Sequence, residues 1–489
     1  MSLPEPGRLK GMKNSRWLSL MVLCTGFLLI VVDMTIVNVA LPSIQHDMGF
    51  SQSGLAWVIN AYLIAFAGLL LLAGRLGDLF GRKRVYLIGL AIFISASVLC
   101  GLSFDQRILV AARFVQGIGG AVSSAGILAM IVTLFPRPDE QARAFGVFSF
   151  VASAGAAVGL LAGGLITQAV SWHWIFFVNL PIGVVTAAAS ARLLAPDRGL
   201  GVGEGADVLG AVLVTASLMI GVYAIVESST FGLASLHTLG FGALSSATLA
   251  AFVARQALGR NPILPLRLFA ARRLSRANLV QALMTSAFFG FFFLGSLDME
   301  RVLGYGPMAI GLAFLPVAAV MAVFSIWLSA RLITRFGPGT VLLTGQLVVA
   351  LALAMLGLGP SNPVYPIHLL FPMVLLGLGG GLSFPALTMV AMSDTRPGDA
   401  GLASGLLNTT GQVGGAFGLA IFTTLAGART LNLVQSGAGS ADALAGGFHL
   451  AWLAGAAAAL ISFGVAISIL RMRPSMAAEA VLLEEKPAA

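Results

Sequence analysis

Charge is what this chain has least of. Only 10% of its 489 residues are Asp, Glu, Lys or Arg, against roughly 25% in soluble domains. Lysine is the scarcest: it stands at 10, 13, 83 and 486, never after a glycine. A Walker A G-K-[ST] loop is therefore excluded, and the chain has no P-loop ATPase of its own. Neither H-E-x-x-H nor G-x-S-x-G occurs, and without a nucleophile–base or metal constellation an enzyme is not expected. Gly201-Val-Gly203-Glu-Gly205 echoes a dinucleotide loop but follows no strand pattern, and reads as linker. The 2 cysteines, Cys24 and Cys100, both lie in apolar runs and make neither a disulfide framework nor a metal site. No cofactor and no metal are expected.

What is present is apolar. Hydrophobic residues make up 58% of the chain and the mean hydropathy is +0.95, which predicts an all-α polytopic membrane protein. Segments of about ten alternating residues, the mark of a membrane β-barrel, are absent. Runs of about 20 apolar residues recur fourteen times, near 17–41, 55–74, 85–103, 108–134, 143–168, 174–195, 207–227, 236–255, 276–297, 307–330, 339–359, 365–391, 404–427 and 449–471. The basic N-terminus ahead of the first run resembles a signal peptide. That run is too long for one and lacks an A-x-A site, so a retained helix is expected.

The net charge of +9 does not mark a nucleic-acid binder, because no basic patch is interleaved with aromatics. With the N-terminus placed inside, the 28 Lys and Arg fall almost wholly on the inner side. Only Arg107, Arg301 and Arg429 lie outside, and Arg113 lies within the fourth run. That asymmetry supports fourteen spans and two cytoplasmic termini. All five histidines and Trp57, Trp172, Trp174 and Trp452 then fall at outer ends, where they read as interfacial residues. A pH sensor is the alternative.

The chain contains an internal repeat. Ala330–Gly345 aligns without gaps on Gly74–Gly89, offset by 256 residues, with Arg, Leu, Phe, Gly, Val, Leu and Gly in register. The expected organisation is a cytoplasmic tail (1–16), a six-helix half (17–195), an inserted helix pair with linkers (196–275), a second six-helix half (276–471) and a cytoplasmic tail (472–489). Two parallel halves about an axis along the membrane normal are a transporter architecture, with substrate bound at their interface.

Four stretches carry a resemblance. Gly74-Arg-Leu-Gly-Asp78-Leu-Phe-Gly81-Arg82-Lys-Arg84 resembles the signature between helices two and three of the major facilitator superfamily. Val32-Asp33-Met-Thr-Ile-Val-Asn38-Val-Ala-Leu-Pro42, Arg113-Phe-Val-Gln116-Gly-Ile-Gly-Gly120 and Trp172-His-Trp-Ile-Phe-Phe-Val-Asn179-Leu-Pro-Ile-Gly183 are similar to motifs of its fourteen-helix drug:proton antiporters. The resemblance covers roughly residues 17–471. It implies that Asp78, with Gly74, Gly81 and Arg82, gates the cytoplasmic side. Asp78 and Arg82 are four apart and pair if the turn is helical. The plainer reading leaves Arg82, Lys83 and Arg84 as topology anchors. The second copy has Thr334 where the first has Asp78, so such a latch is asymmetric.

Asp33 stands in an otherwise apolar helix, where a carboxylate costs several kcal/mol unless neutralised or paired. Its depth is about 12 Å from the end of the run, and that of Arg113 about 9 Å, at 1.5 Å per residue. The two are candidates for proton coupling or contact with a cationic substrate. A permanent pair that pins two helices is the alternative. Asn38, Gln116, Asn408 and Gln412 are cavity-lining candidates, and Asp298 and Glu300 are an acidic pair that either exchanges protons or simply sits hydrated at the interface. Gly155, Gly159 and Gly163 form a packing stripe. It falls where the antiporter signature carries a proline, here Leu160.

The expected function is proton-coupled export of a small hydrophobic or cationic drug or antibiotic by alternating access across the plasma membrane. The partners are substrate, protons and lipid, and a monomer is expected. The rivals are a carrier of the same fold for a physiological metabolite or lipid, and a non-transporting membrane sensor or scaffold.

Overall fold

The computed structural model describes residues 6–197, 199, 207–232, 234–259, 262–264, 266–361, 363–392 and 400–470. The tail 472–489 and most of the linker 197–206 lie outside them. Among the described residues every regular element is helical. The long helices are α1 (Pro6–Met48), α2 (Trp57–Phe80), α3 (Arg82–Gly101), α4 (Gln106–Ser124, continued by Ile127–Leu134), α5 (Pro138–Ala169) and α6 (Asn179–Leu193). There follow α7 (Val208–Phe231), α8 (Leu236–Leu258), α9 (Arg272–Arg301) and α10 (Pro307–Val323, continued by Ser329–Phe336). The last four are α11 (Pro338–Gly357), α12 (Leu370–Met392), α13 (Ala400–Gln435) and α14 (Ser440–Leu470).

Each apolar run of the sequence falls on one of these helices. Twelve are long and apolar enough to cross a membrane. In α5 and α10 the apolar portions are shorter, Ala157–Ala169 and Pro307–Val323. Several starts are written locally: Asp105 accepts from the Arg107 amide and Ser235 from the Thr238 amide, while Pro138, Pro307 and Pro338 occupy first-turn positions that need no donor.

Helix α1 corrects the sequence reading at its outer end. Helix begins at Pro6, the apolar span starts at Arg16 as read, and it continues past Pro42 to Met48. The stretch Gly74–Arg84 is not a loop either. Helix runs to Phe80 and resumes at Arg82, and the whole turn is Gly81 with φ 96°. Its counterpart 256 residues on, Gly337, turns in the same way with φ 81°. A side chain at such φ is strained. Trp172 and Trp452 are buried, not interfacial: the Trp172 indole donates to Asp47 at 2.9 Å.

The packing repeats. Helix α1 packs on α5 and α6, α2 on α4, and α3 on α4 and α6. In the same order α9 packs on α13 and α14, α10 on α12, and α11 on α12 and α14. The repetition reaches single residues. Gly89 of α3 meets Ser123 of α4, and Gly119 meets Phe93. In the second copy Gly345 meets Ser383, and Gly379 meets Val349. A Cβ at Gly345 would lie 2.8 Å from the Gly379 carbonyl, so only glycine allows this approach.

Two seams join the copies, α5 against α10 and α2 against α13. In the first, a Cβ at Gly311 would stand 2.6 Å from the Leu160 carbonyl, and Gln168 accepts from the Met308 amide. Helix α7 covers the second seam and carries α8 on its far side, tied by reciprocal Ser217–Ser245 hydrogen bonds of 2.9 Å. Only 6% of the apolar window of α8 is buried. Its leucines face outward, as suits a lipid-facing helix.

Candidate functional site

The site is built around Asp33, midway along α1 and wholly buried. Arg113 of α4 donates through Nη1 to Oδ2 at 2.6 Å. Gln116, one turn further along the same face of α4, donates through Nε2 to Oδ1 at 2.7 Å. Asn179, the first residue of α6, donates to the same oxygen at 3.1 Å and to Ser97 Oγ at 3.0 Å. Ser97 in turn donates to the Phe176 carbonyl at 2.9 Å. Helices α1, α4 and α6 thus meet at one carboxylate, and α3 supports it through Asn179.

Arg113 has further holds. Its Nε donates to the Val58 carbonyl at 2.9 Å, and Nη1 also donates to Gln116 Oε1 at 2.8 Å. The guanidinium lies 4.4 Å above the centre of the Tyr62 ring, where the ring quadrupole favours a cation. A buried ion pair is tolerable only when its groups find partners beyond each other, and here Arg113 has Val58, Gln116 and the Tyr62 ring while Asp33 has Gln116 and Asn179. The depth reading is revised by the length of α1. Asp33 stands fifteen residues, about 22 Å, from the end at Met48.

The remaining sequence candidates divide. Gln116 does not line a cavity: it is fully buried and belongs to the Asp33 network. Asn38 is buried and donates back to the Met34 carbonyl of its own helix. Asn408 is exposed, and the Oε1 of Gln412 is buried without a partner. Gly155, Gly159 and Gly163 press on α1. A Cβ at Gly155 would lie 2.7 Å from Leu28, one at Gly159 would meet Thr35, and one at Gly163 would lie 2.7 Å from the Ile36 carbonyl.

At the opposite end of the bundle, Asp78 and Arg82 pair at 3.0 Å, both partly exposed. Gly74 has open space around it, and Gly77 only ordinary contacts, so neither is there for close helix approach. Lys83 is more than a topology anchor. Its Nζ donates to the carbonyls of Ala191 (2.8 Å) and Leu194 (2.5 Å) at the end of α6. Asp197 returns the favour, accepting from the Arg82 amide at 2.6 Å and the Lys83 amide at 3.2 Å. Each charge caps the helix terminus whose dipole it suits. Asp298 and Glu300 do not act on a shared space. Asp298 lines a small cavity with His368 and His449, whereas the charged neighbours of Glu300 are Arg301 and His46.

Long apolar helices, packed in a repeated pattern around a buried charge centre in one copy, define a class: a multi-pass membrane transporter. The family follows from comparison. The Major Facilitator Superfamily pattern matches residues 23–419. The puromycin resistance protein pur8 of Streptomyces alboniger is 38% identical over 91% of this chain and 89% of its own. The cephamycin export protein CmcT of Amycolatopsis lactamdurans is 37% identical over 84% and 85%. The crystal structure of a bacterial homologue of the human lysosomal transporter Spinster, inward-facing and unoccupied, superposes with a TM-score of 0.66. It has 16% identity and covers 97% of this chain and 99% of its own. The chain belongs to the major facilitator superfamily, a family of transporters and not of enzymes, and is a multi-pass protein of the cell membrane.

Proposed function

We propose that this transporter exports a small hydrophobic or cationic antibiotic-like compound in exchange for protons. It would use fourteen spans with both termini inside, two six-helix halves rocking about a central cavity, and the α7–α8 pair as an insertion. The observation that carries the reading is the Asp33–Arg113 pair, fully buried and held at 2.6 Å. In the second half neither α12 nor the stretch 277–297 of α9 carries a charged residue. The charge centre therefore belongs to the first half alone. The resistance and export names of the relatives support the direction and the substrate class.

The geometry lends itself to a switch. The oxygen that would take a proton, Oδ2, faces Arg113, and Oδ1 faces two N–H donors. A protonated Asp33 cannot keep this arrangement, because an O–H would point at a cation or at donors. Arg113 would remain held by the Val58 carbonyl, Gln116 and the Tyr62 ring. Protonation would therefore free α1 from α4 and α6 without leaving the guanidinium stranded. Each proton moved through 100 mV supplies about 2.3 kcal/mol, or roughly a fifty-fold export gradient. Asp78 with Arg82, turning on Gly81, would hold the inner side, and Asn408 and Gln412 remain the cavity candidates of the second half.

Puromycin susceptibility of an exporter-deficient host tests the reading. Expression of the native chain raises the tolerated concentration severalfold, and Asp33→Asn, inserted in equal amount, does not. Equal protection by the variant would remove Asp33 from the mechanism.

A further inference from the structure

At the end of the bundle that the charge count assigns to the outside, a small cavity opens in the second half, away from Asp33. It lies between the ends of α9 and α11 and the starts of α12 and α14. Asp298, His368 and His449 line it, with Trp452 and Ser361. The space admits a water molecule and is far too small for a drug-sized compound. Among the described residues the Asp298 carboxylate has neither a hydrogen bond nor an ion pair. A carboxylate so placed is left to water and to whatever charge its neighbours take up.

The neighbours are specific. His368 Nδ1 accepts from the Val364 amide at 2.9 Å, so its proton is on Nε2 and that amide is its hold on the start of α12. His449 comes from α14. The α11 end and the 359–363 connection add no charged group, and α1 and α13 add none to the cavity. Glu300 and Arg301 do not line the cavity, and Arg301 donates to Gln45 of α1. Among the described residues no three His, Cys, Asp or Glu side chains are placed to hold a metal ion.

We propose that Asp298, His368 and His449 form a second protonation site, loaded from the outer face through a bound water and separate from Asp33. Its ligand is the proton itself. The site stands one helical turn from Arg301, and external acidity would thus act where α9 meets α1. Nothing in this inference depends on the identity of the cargo.

Infrared pH titration of the purified full chain in nanodiscs tests it, read at the carbonyl stretch of protonated carboxyl groups. The expected result is a titrating band that Asp298→Asn removes and that Glu300→Gln and Asp33→Asn retain. His449→Gln shifts its midpoint by about half a pH unit or more. Asp298→Glu restores a titrating band, which separates loss of the site from loss of the fold. A native-minus-variant difference spectrum in which Asp298→Asn removes no titrating intensity overturns the proposal, as does a midpoint unmoved in His449→Gln.

Discussion

Arg301, the last residue of α9, donates a hydrogen bond to the side chain of Gln45, in the last turn of α1. The pair marks where α1 meets α9 at the outer end. Gln45 is itself fixed, donating to the Phe50 carbonyl at 2.9 Å. Together with Gln168 and Met308 this contact holds the outer ends together.

Loosening that contact exposes the outer end. In Arg301→Gln, a single cysteine introduced at Asp47 is expected to react several times faster with a membrane-impermeant maleimide than in the native background. The native Cys24 and Cys100 are both buried and do not compete. Equal labelling rates would show that the outer closure does not rest on this pair.

The buried pair sets an asymmetry between its two single variants. Arg113→Ala leaves a bare carboxylate in the interior, a cost of about 3–5 kcal/mol. Asp33→Asn keeps the shape and leaves Arg113 with Val58, Gln116 and Tyr62, so it costs less. The double variant Asp33→Asn, Arg113→Ala is expected to recover part of the loss. Thermal unfolding in detergent reads all three, and simple additivity would deny the coupling.

The glycines of the short turn separate by geometry. Gly81→Ala places a side chain at φ 96° and against Asp197, and is expected to cost about 1–2 kcal/mol. Gly74→Ala meets open space and leaves stability unchanged, so any fall in transport there reports gating. Thermal unfolding and puromycin protection, measured together, distinguish the two.

Asp207, at the start of α7, gives a pH signature. Burial pushes its carboxyl up, but hydrogen bonds from Arg255 (2.5 Å), the Gly210 amide (2.8 Å) and Gln256 (2.7 Å) outweigh this and hold it below the usual range. A lowered group stabilises the fold above its unfolded value near 3.9 and loses that contribution as pH falls through the folded one. Asp207→Asn is therefore expected to unfold at lower temperature than the native chain at pH 7. The two should converge as pH falls through the lowered folded value, and a gap constant across pH would contradict the assignment.

Much of this was legible in the chain itself. The helices follow from unbroken apolar runs, the repeat from sixteen aligned residues, and the Asp33–Arg113 pair from two charges that the membrane forbids to stand alone. What was not legible depends on packing at long range. Asn179 reaches Asp33 across 146 residues, and Lys83 and Asp197 cap each other's helices only once α3 and α6 are side by side. Gln116 was visible as a polar residue in a span, but its amide turns to Asp33 and not to a cavity. Pro42 marks an end by local rules, yet α1 runs through it because its far side packs on neighbouring helices and is buried.

The most direct test is proton movement in energised inverted vesicles on addition of puromycin. The account predicts proton release with the native chain and none with Asp33→Asn inserted at equal level and folded at the assay temperature. Persistent puromycin-driven proton flux in that variant would contradict it.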